Sequence, residues 1–249
     1  KMYVWFDALN IYQSGIGFGW NEAMYNKWWP ADVHVIGKGI TRFHVVYWPA
    51  FLLSAGLPLP KKIFVHEYFT VDGQKMSKTL GNVIDPVELI KKYGADPLRY
   101  YFLAKFSPFN DGNFSHDEFK KTYNADLANG LGNLISRVAK MCEGLTLTSY
   151  TPPKLADTPL IEFETSYQFD VTLKLIFEKI KASDVLVNNN QVWILTGNAK
   201  QKILQTLVDQ IRVIGYSLQP FLPETADKIL QQFSGSKISV EPSLFPRLI

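Results

Sequence analysis

The chain has 249 residues, 47% hydrophobic and 20% charged, with a net charge of +3, which describes an ordinary globular protein of one or two domains and gives no bulk electrostatic case for a nucleic-acid partner. Its single cysteine, Cys142, excludes an internal disulfide framework and a cysteine-built zinc site. No apolar run reaches the roughly 18 residues of a membrane span, and the opening KMYVWFDALN lacks the layout of a signal peptide, so a cytoplasmic location is expected.

Residues 1–9, with Tyr3, Val4, Trp5 and Phe6, read as a strand. Residues 33–37 and 63–69 are short β-rich runs, and the apolar stretch 40–56 between them, ending at Gly56, is long enough for a crossover helix. This βαβ pattern predicts a parallel sheet. After the turn pair Asp72-Gly73, Asp85-Pro86-Val87-Glu88 has the cap, first-turn proline and acidic residue of a helix start, closed by Gly94, and Asp96-Pro97 starts a second helix. Ser115 with Glu118 spells a capping box, and helical spacing runs from there to Gly144. Beyond a proline-containing linker at 151–159, the segments 160–195, 198–217 and 223–233 read as amphipathic helices. The fold class expected is α/β followed by all-α, with the second half of a Rossmann-like sheet at 1–69, a connecting region at 70–115 and a helical bundle at 116–249.

Two motifs carry chemistry. Lys75-Met76-Ser77-Lys78-Thr79 sets two lysines around a hydroxyl on a loop, an arrangement suited to triphosphate charge, and it continues into Leu80-Gly81-Asn82-Val83-Ile84-Asp85-Pro86. Gly37-Lys38-Gly39 lies where a strand enters a helix, so free backbone N–H groups can meet a nucleotide. It is not a Walker A loop, and Gly15, Gly17 and Gly19 do not form a dinucleotide fingerprint.

The run DGQKMSKTLGNVIDP, with YGADPLRYY downstream, resembles the signature of class I aminoacyl-tRNA synthetases of the methionine, leucine, isoleucine and valine group. YVWFDALNIY at 3–12 and HVIGKGITRFHVVYWPAFLLSAGLPLP at 34–60 are similar to the methionine enzymes in particular. The resemblance implies catalytic roles for Lys75 and Lys78, ATP contacts at Gly37, Lys38, His66, Phe69, Met76, Ser77 and Lys78, and a methionine pocket of Trp5, Ala8, Tyr12, Ile40 and His44. A thioether packs well on aromatic faces and accepts weak hydrogen bonds from a hydroxyl or imidazole, which suits that set.

NADLANGLGNLISR at 124–137 resembles the first helix of the family's anticodon-binding domain, which puts Asn133 and Arg137 four apart on one face. Trp193 matches a tryptophan on which an anticodon base stacks. The chain departs from the family at Leu9, where proline is usual, at Ile11, usually glycine, at Gly39, usually aspartate, and at Thr79, usually serine; the missing carboxylate at 39 bears on the ribose contact.

The resemblance implies ATP, taken with Mg²⁺ as substrate, together with methionine and methionine tRNA as partners, and no metal bound by the chain. It covers essentially the whole sequence, yet the front of the family's catalytic domain, with its His-Ile-Gly-His signature, is not present. The expectation is therefore a C-terminal portion, inactive alone, with a separate chain as one possible source of the other half. A half sheet should expose a strand edge and apolar helix faces. The competing readings are a non-catalytic tRNA-binding module, a fragment of a leucine, isoleucine or valine enzyme, which the Trp5, Tyr12 and His44 set opposes, and a dinucleotide-dependent oxidoreductase, which lacks its fingerprint.

Overall fold

The computed structural model describes residues 3–77, 79 and 81–248, without the side chains of Glu162, Glu164 and Thr165. The chain divides into two compact units, residues 1–68 with 109–112, and residues 69–108 with 113–249.

The first unit runs α1 (Val4–Leu9), α2 (Ile11–Ser14), α3 (Glu22–Trp28), β1 (His34–Gly37), α4 (Trp48–Ser54) and β2 (Ile63–His66). β1 and β2 pair in parallel, His34 with Ile63 through Gly37 with His66. The crossover between them is helical as expected, but in three pieces: a tight 3₁₀ turn at Lys38–Ile40, a wide π turn at Phe43–Tyr47, then α4, which ends before Gly56 at φ 68°. Residues 4–9 are helix rather than strand. Bulky residues in a row fit either state, and the four-residue spacing of buried Leu9 and Trp5, which stacks on Phe43 with ring centroids 3.9 Å apart, is met by one face of a helix as well as of a strand. The unit's core is small, built on Leu9, Trp29, Trp48 and Leu52.

In the second unit, β3 (Phe69–Val71) and β4 (Gln74–Lys75) form an antiparallel hairpin. Asp72 and Gly73 at its tip have φ 48° and 77°, the left-handed pair that a two-residue hairpin needs. β5 (Gly112–Phe114) lies on the other side of β3. The Asn113 side-chain oxygen there accepts hydrogen bonds from the Gly73 N–H at 2.7 Å and the Thr70 hydroxyl at 3.0 Å.

α5 (Pro86–Tyr93) starts as read, with the Asp85 carboxylate accepting from the Val87 N–H at 2.8 Å. α6 (Ala95–Lys105) is tied to the bundle. The buried Asp96 accepts the Thr225 N–H at 2.6 Å, and Arg99 donates to the carbonyls of Pro220 and Phe221.

The bundle itself consists of α7 (His116–Thr122), a ten-residue π segment at Tyr123–Gly132, α8 (Asn133–Met141), α9 (Leu160–Ser166), α10 (Phe169–Asn189), α11 (Gly197–Leu218) and α12 (Pro223–Phe233). Ser115 occupies the cap position of α7, but its side chain makes no capping bond, and Glu118 instead pairs with Lys121 at 2.7 Å. The capping box is thus a sequence match without its hydrogen bonds. The span 160–195 is broken at Tyr167 and Gln191, both at positive φ, so the segment is two helices and a 3₁₀ turn at Val192–Ile194. The core runs through Leu131, Val138, Leu173, Leu204 and Ile211, all fully buried, and buried Arg212 donates to the carbonyls of Thr148, Phe233 and Gly235 to hold the chain end against it.

Candidate functional site

In the first unit, α2 and the π turn bring Tyr12 and His44 together, with Tyr12 Oη 2.9 Å from His44 Nε2. His44 Nδ1 lies 3.0 Å from the Ile40 carbonyl oxygen, which can only accept. That assigns the proton to Nδ1, so Nε2 accepts from the Tyr12 hydroxyl. Burial pushes the Tyr12 phenol above its ordinary value, so it keeps that proton at neutral pH. Trp5 stands edge-on to His44 at 6.4 Å, and the imidazole is buried. Four of the five residues that the sequence resemblance groups together therefore form one connected set: Ile40 fixes His44, His44 fixes Tyr12, and Trp5 closes one side. Ala8, by contrast, is exposed on α1.

A wider nest of aromatic rings surrounds Tyr12, with His34 at 4.4 Å and Trp48 at 6.0 Å. Several buried polar atoms here lack a partner among the described residues, including both side-chain atoms of Gln13, His34 Nδ1 and Trp48 Nε1. Burial, then the nearby His44, holds the His34 imidazole below its ordinary value.

Gly37 and His66 are register partners at the carboxyl ends of the two parallel strands, where α/β sheets take their ligands. Lys38 reaches not outward but to Glu67 and to Asp111 at 2.6 Å, and these two carboxylates hold its ammonium above the ordinary lysine range. The His66 ring is anchored, with Nδ1 3.0 Å from the Glu67 carbonyl. Glu67 and Asp111 were invisible to motif reading because neither belongs to a motif.

In the second unit the β3–β4 hairpin delivers Lys75 and Met76 exposed and Ser77 half-buried. Asn82 staples this loop: its oxygen accepts the Ser77 N–H at 2.8 Å and its amide donates to the Lys75 carbonyl at 3.2 Å, while the Ser77 hydroxyl accepts from the Thr79 N–H. Lys78 lies outside the described residues. Phe69 belongs to this unit's aromatic cluster, packed edge-on against Phe102 and Phe106 at 4.8 and 5.2 Å.

On the bundle, Arg137 and Trp193 line one recess of about 410 Å³ with Ser136, Lys140 and Met141. Trp193 is 52% exposed, its 3₁₀ turn pushing the indole outward, which a core residue would not show. Asn133, one turn before Arg137 on α8, is exposed. Arg137 is oriented by α10: Nη1 pairs with Asp184 at 2.6 Å, Nη2 donates to Asn188 at 2.8 Å, and Asn188 donates to the other Asp184 oxygen at 2.9 Å. Sequence reading missed Asp184 and Asn188, which lie about 50 residues away with no local signal. Cys142 is buried, and burial pushes its thiol up to about 11, which rules it out as a nucleophile at neutral pH.

Among the described residues no cluster of three or more His, Cys, Asp or Glu side chains is arranged to hold a metal, and no helix is long and apolar enough to cross a membrane.

Comparison with known proteins gives one answer. Residues 1–139 match the family model described as tRNA synthetases class I (M). The chain is 39% identical to the methionine–tRNA ligase of Clostridium acetobutylicum over 99% of its own length and 44% of that protein's, and 41% identical to the Thermotoga maritima ligase over 94% and 40%. It superposes on Mycobacterium tuberculosis methionyl-tRNA synthetase in complex with methionyl-adenylate with a TM-score of 0.85 at 33% identity, covering 99% of this chain and 56% of that one. The chain thus spans between two fifths and three fifths of the length of these relatives, and with more than half of its residues inside the family model and its fold reproduced in a solved member, it belongs to the class I tRNA synthetase (M) family.

Proposed function

We propose that this chain is the C-terminal portion of a cytoplasmic methionine–tRNA ligase, which activates methionine with ATP to methionyl-adenylate and transfers the methionyl group to the 3′ end of methionine tRNA. The observation that carries the reading is the hydrogen-bonded line from the Ile40 carbonyl through His44 to Tyr12, beside Trp5. It gives a thioether the ring of Tyr12 and the face of Trp5, with the Tyr12 proton committed to His44, so that the rings are held rigid before the substrate arrives. Residues 1–69 are the rear of the catalytic domain, 70–115 the lysine loop and stem-contact region, and 116–249 the anticodon-binding bundle.

In the activation step an oxygen of the methionine carboxylate attacks the α-phosphorus of ATP, and pyrophosphate leaves carrying the electron pair of the broken P–O bond. Lys75 and Lys78 stabilise the charge that grows on pyrophosphate, and Ser77 holds the loop between them. This is positioning and electrostatic catalysis, with no covalent role for the protein. Mg²⁺ enters as the partner of ATP. Gly37, Lys38, His66, Phe69 and Met76 complete the ATP contacts, Ala8 the methionine pocket, and Asn133, Arg137 and Trp193 read the anticodon.

The test is methionine-dependent ATP–pyrophosphate exchange by the complete ligase containing this chain. Tyr12→Phe and His44→Ala should raise KM for methionine with KM for ATP unchanged; equal effects on both substrates would sink the pocket assignment. The isolated chain should give no exchange unless the other half is supplied, on the same or a separate chain. A second reading, a tRNA-binding module without catalysis, is favoured by the Arg137–Trp193 recess, which lies complete within one unit. Methionine tRNA binding that falls with Trp193→Ala, in a chain that never supports exchange even with the other half supplied, would select that reading.

A further inference from the structure

Gly39 is bare for a reason visible in the fold. A Cβ on residue 39 would overlap the hydroxyl of Tyr68, which lies where that atom would be. Gly39 does not have the left-handed backbone that would call for glycine, so its absent side chain is a matter of space and not of φ. The two residues follow directly on the carboxyl ends of β1 and β2, the edge at which a parallel sheet takes its ligand.

Tyr68 is fixed by its backbone. Its N–H donates to the Asp111 carboxylate at 2.9 Å and its carbonyl accepts from the Gly112 N–H at 2.8 Å. The ring crosses the Gly37-Lys38-Gly39 turn, 5.0 Å from the Lys38 ammonium. Its side chain is nonetheless half-exposed, and the hydroxyl has no hydrogen-bond partner among the described residues.

The charge balance at this edge says what kind of group belongs there. Lys38 is already matched by two carboxylates, Glu67 and Asp111, which leaves the trio at a formal −1. Such an edge repels phosphate and suits a neutral, hydroxyl-bearing group. A phenol that can both donate and accept is the natural partner for a sugar hydroxyl.

We propose that Tyr68 is a nucleotide-binding residue, its hydroxyl bonding a ribose hydroxyl of ATP from the space that a side chain at position 39 would otherwise fill. This rests on the ATP-dependent reading above and adds to it a residue and a sugar contact. The pairing also makes positions 39 and 68 interdependent: a side chain at 39 must push the tyrosine oxygen out of its place.

The experiment is ATP–pyrophosphate exchange on the complete ligase with Tyr68→Phe, Gly39→Ala and the double variant, using ATP, 2′-deoxy-ATP and 3′-deoxy-ATP. Tyr68→Phe should raise KM for ATP roughly three- to tenfold, the worth of one hydrogen bond, with KM for methionine unchanged. The penalty should vanish with the deoxynucleotide that lacks the contacted hydroxyl. Gly39→Ala should reproduce the penalty by displacing the phenol, and should add little in the Tyr68→Phe background, where the clashing oxygen is absent.

An unchanged KM for ATP in Tyr68→Phe, or a penalty that persists with both deoxynucleotides, would overturn the proposal while leaving the ligase reading intact. Absence of methionine-dependent exchange in the unsubstituted ligase would instead overturn the reading beneath it.

Discussion

Arg137 shows what a motif gives and what it withholds. Its position on α8, one turn after Asn133, follows from helical spacing, and Trp193 stands out in its local run and is exposed. What makes the arginine usable is the Asp184–Asn188 clamp that holds its guanidinium, and that clamp depends on α10 packing beside α8, a tertiary fact with no trace in spacing. A guanidinium aimed at a base edge loses discrimination when its direction is free. Asp184→Ala should therefore lower the affinity ratio between methionine tRNA and an anticodon-altered tRNA by roughly three- to tenfold. It should not weaken binding to the altered tRNA, since it removes a negative charge from the surface proposed to meet RNA. Filter binding at fixed salt on both tRNAs reads this out, and a loss of affinity equal for the two would mean that Asp184 serves only the fold. The same limit applies at the proposed lysine loop, where Lys75 and Ser77 stand out in the sequence but Asn82, which staples their backbone, does not.

Among the helices, legibility followed the strength of local punctuation. The 223–233 helix came out at its bounds because Pro223 and the apolar stripe agree, and α5 because Asp85 and Pro86 mark its start. The breaks at Tyr167 and Gln191 were not readable, because a non-glycine residue at positive φ is imposed by packing rather than announced by sequence. Nor was the helix at Val4–Leu9, where the bulky residues Val4, Trp5, Phe6 and Leu9 fit either period.

One glycine illustrates how tightly α11 and α12 are fitted. A Cβ at Gly215 would lie 2.9 Å from Ile229 Cγ2 and 3.2 Å from Leu230 Cδ2. Ile229 is fully buried and β-branched, so it has nowhere to turn. Alanine gains about 0.5–1 kcal/mol in helix propensity but costs about 1–3 kcal/mol in overpacking. Gly215→Ala should thus destabilise the bundle by about 1 kcal/mol, read as an earlier urea midpoint with unchanged slope; a later midpoint would mean that the helices separate freely.

For the whole molecule, the sequence reading foresaw apolar surface on the first unit, and Val4, Ile11, Trp20, Val35 and Leu53 are each more than 60% exposed there. Among the described residues the packed cluster of that unit has four buried side chains, whereas the largest cluster of the second has thirty. Stability is therefore distributed unevenly along the chain, and the weaker part carries a pH-dependent term.

His34 is the source of that term. It is buried against Tyr12 and Trp29, and its folded value lies below the unfolded one, about 6.5, because burial and then His44 disfavour the cation. Between the two values the unfolded chain binds more protons, so stability rises with pH through that window. It is fully present above about pH 6.5 and is lost as pH falls through the folded value. Hydrogen exchange at pH 7.5 and pH 5.5, expressed as protection relative to free peptide, should show β1 and β2 losing protection on acidification while α11 keeps it. His34→Gln should flatten the change in the strands, and a loss of protection that is uniform across both units would assign the acid sensitivity elsewhere.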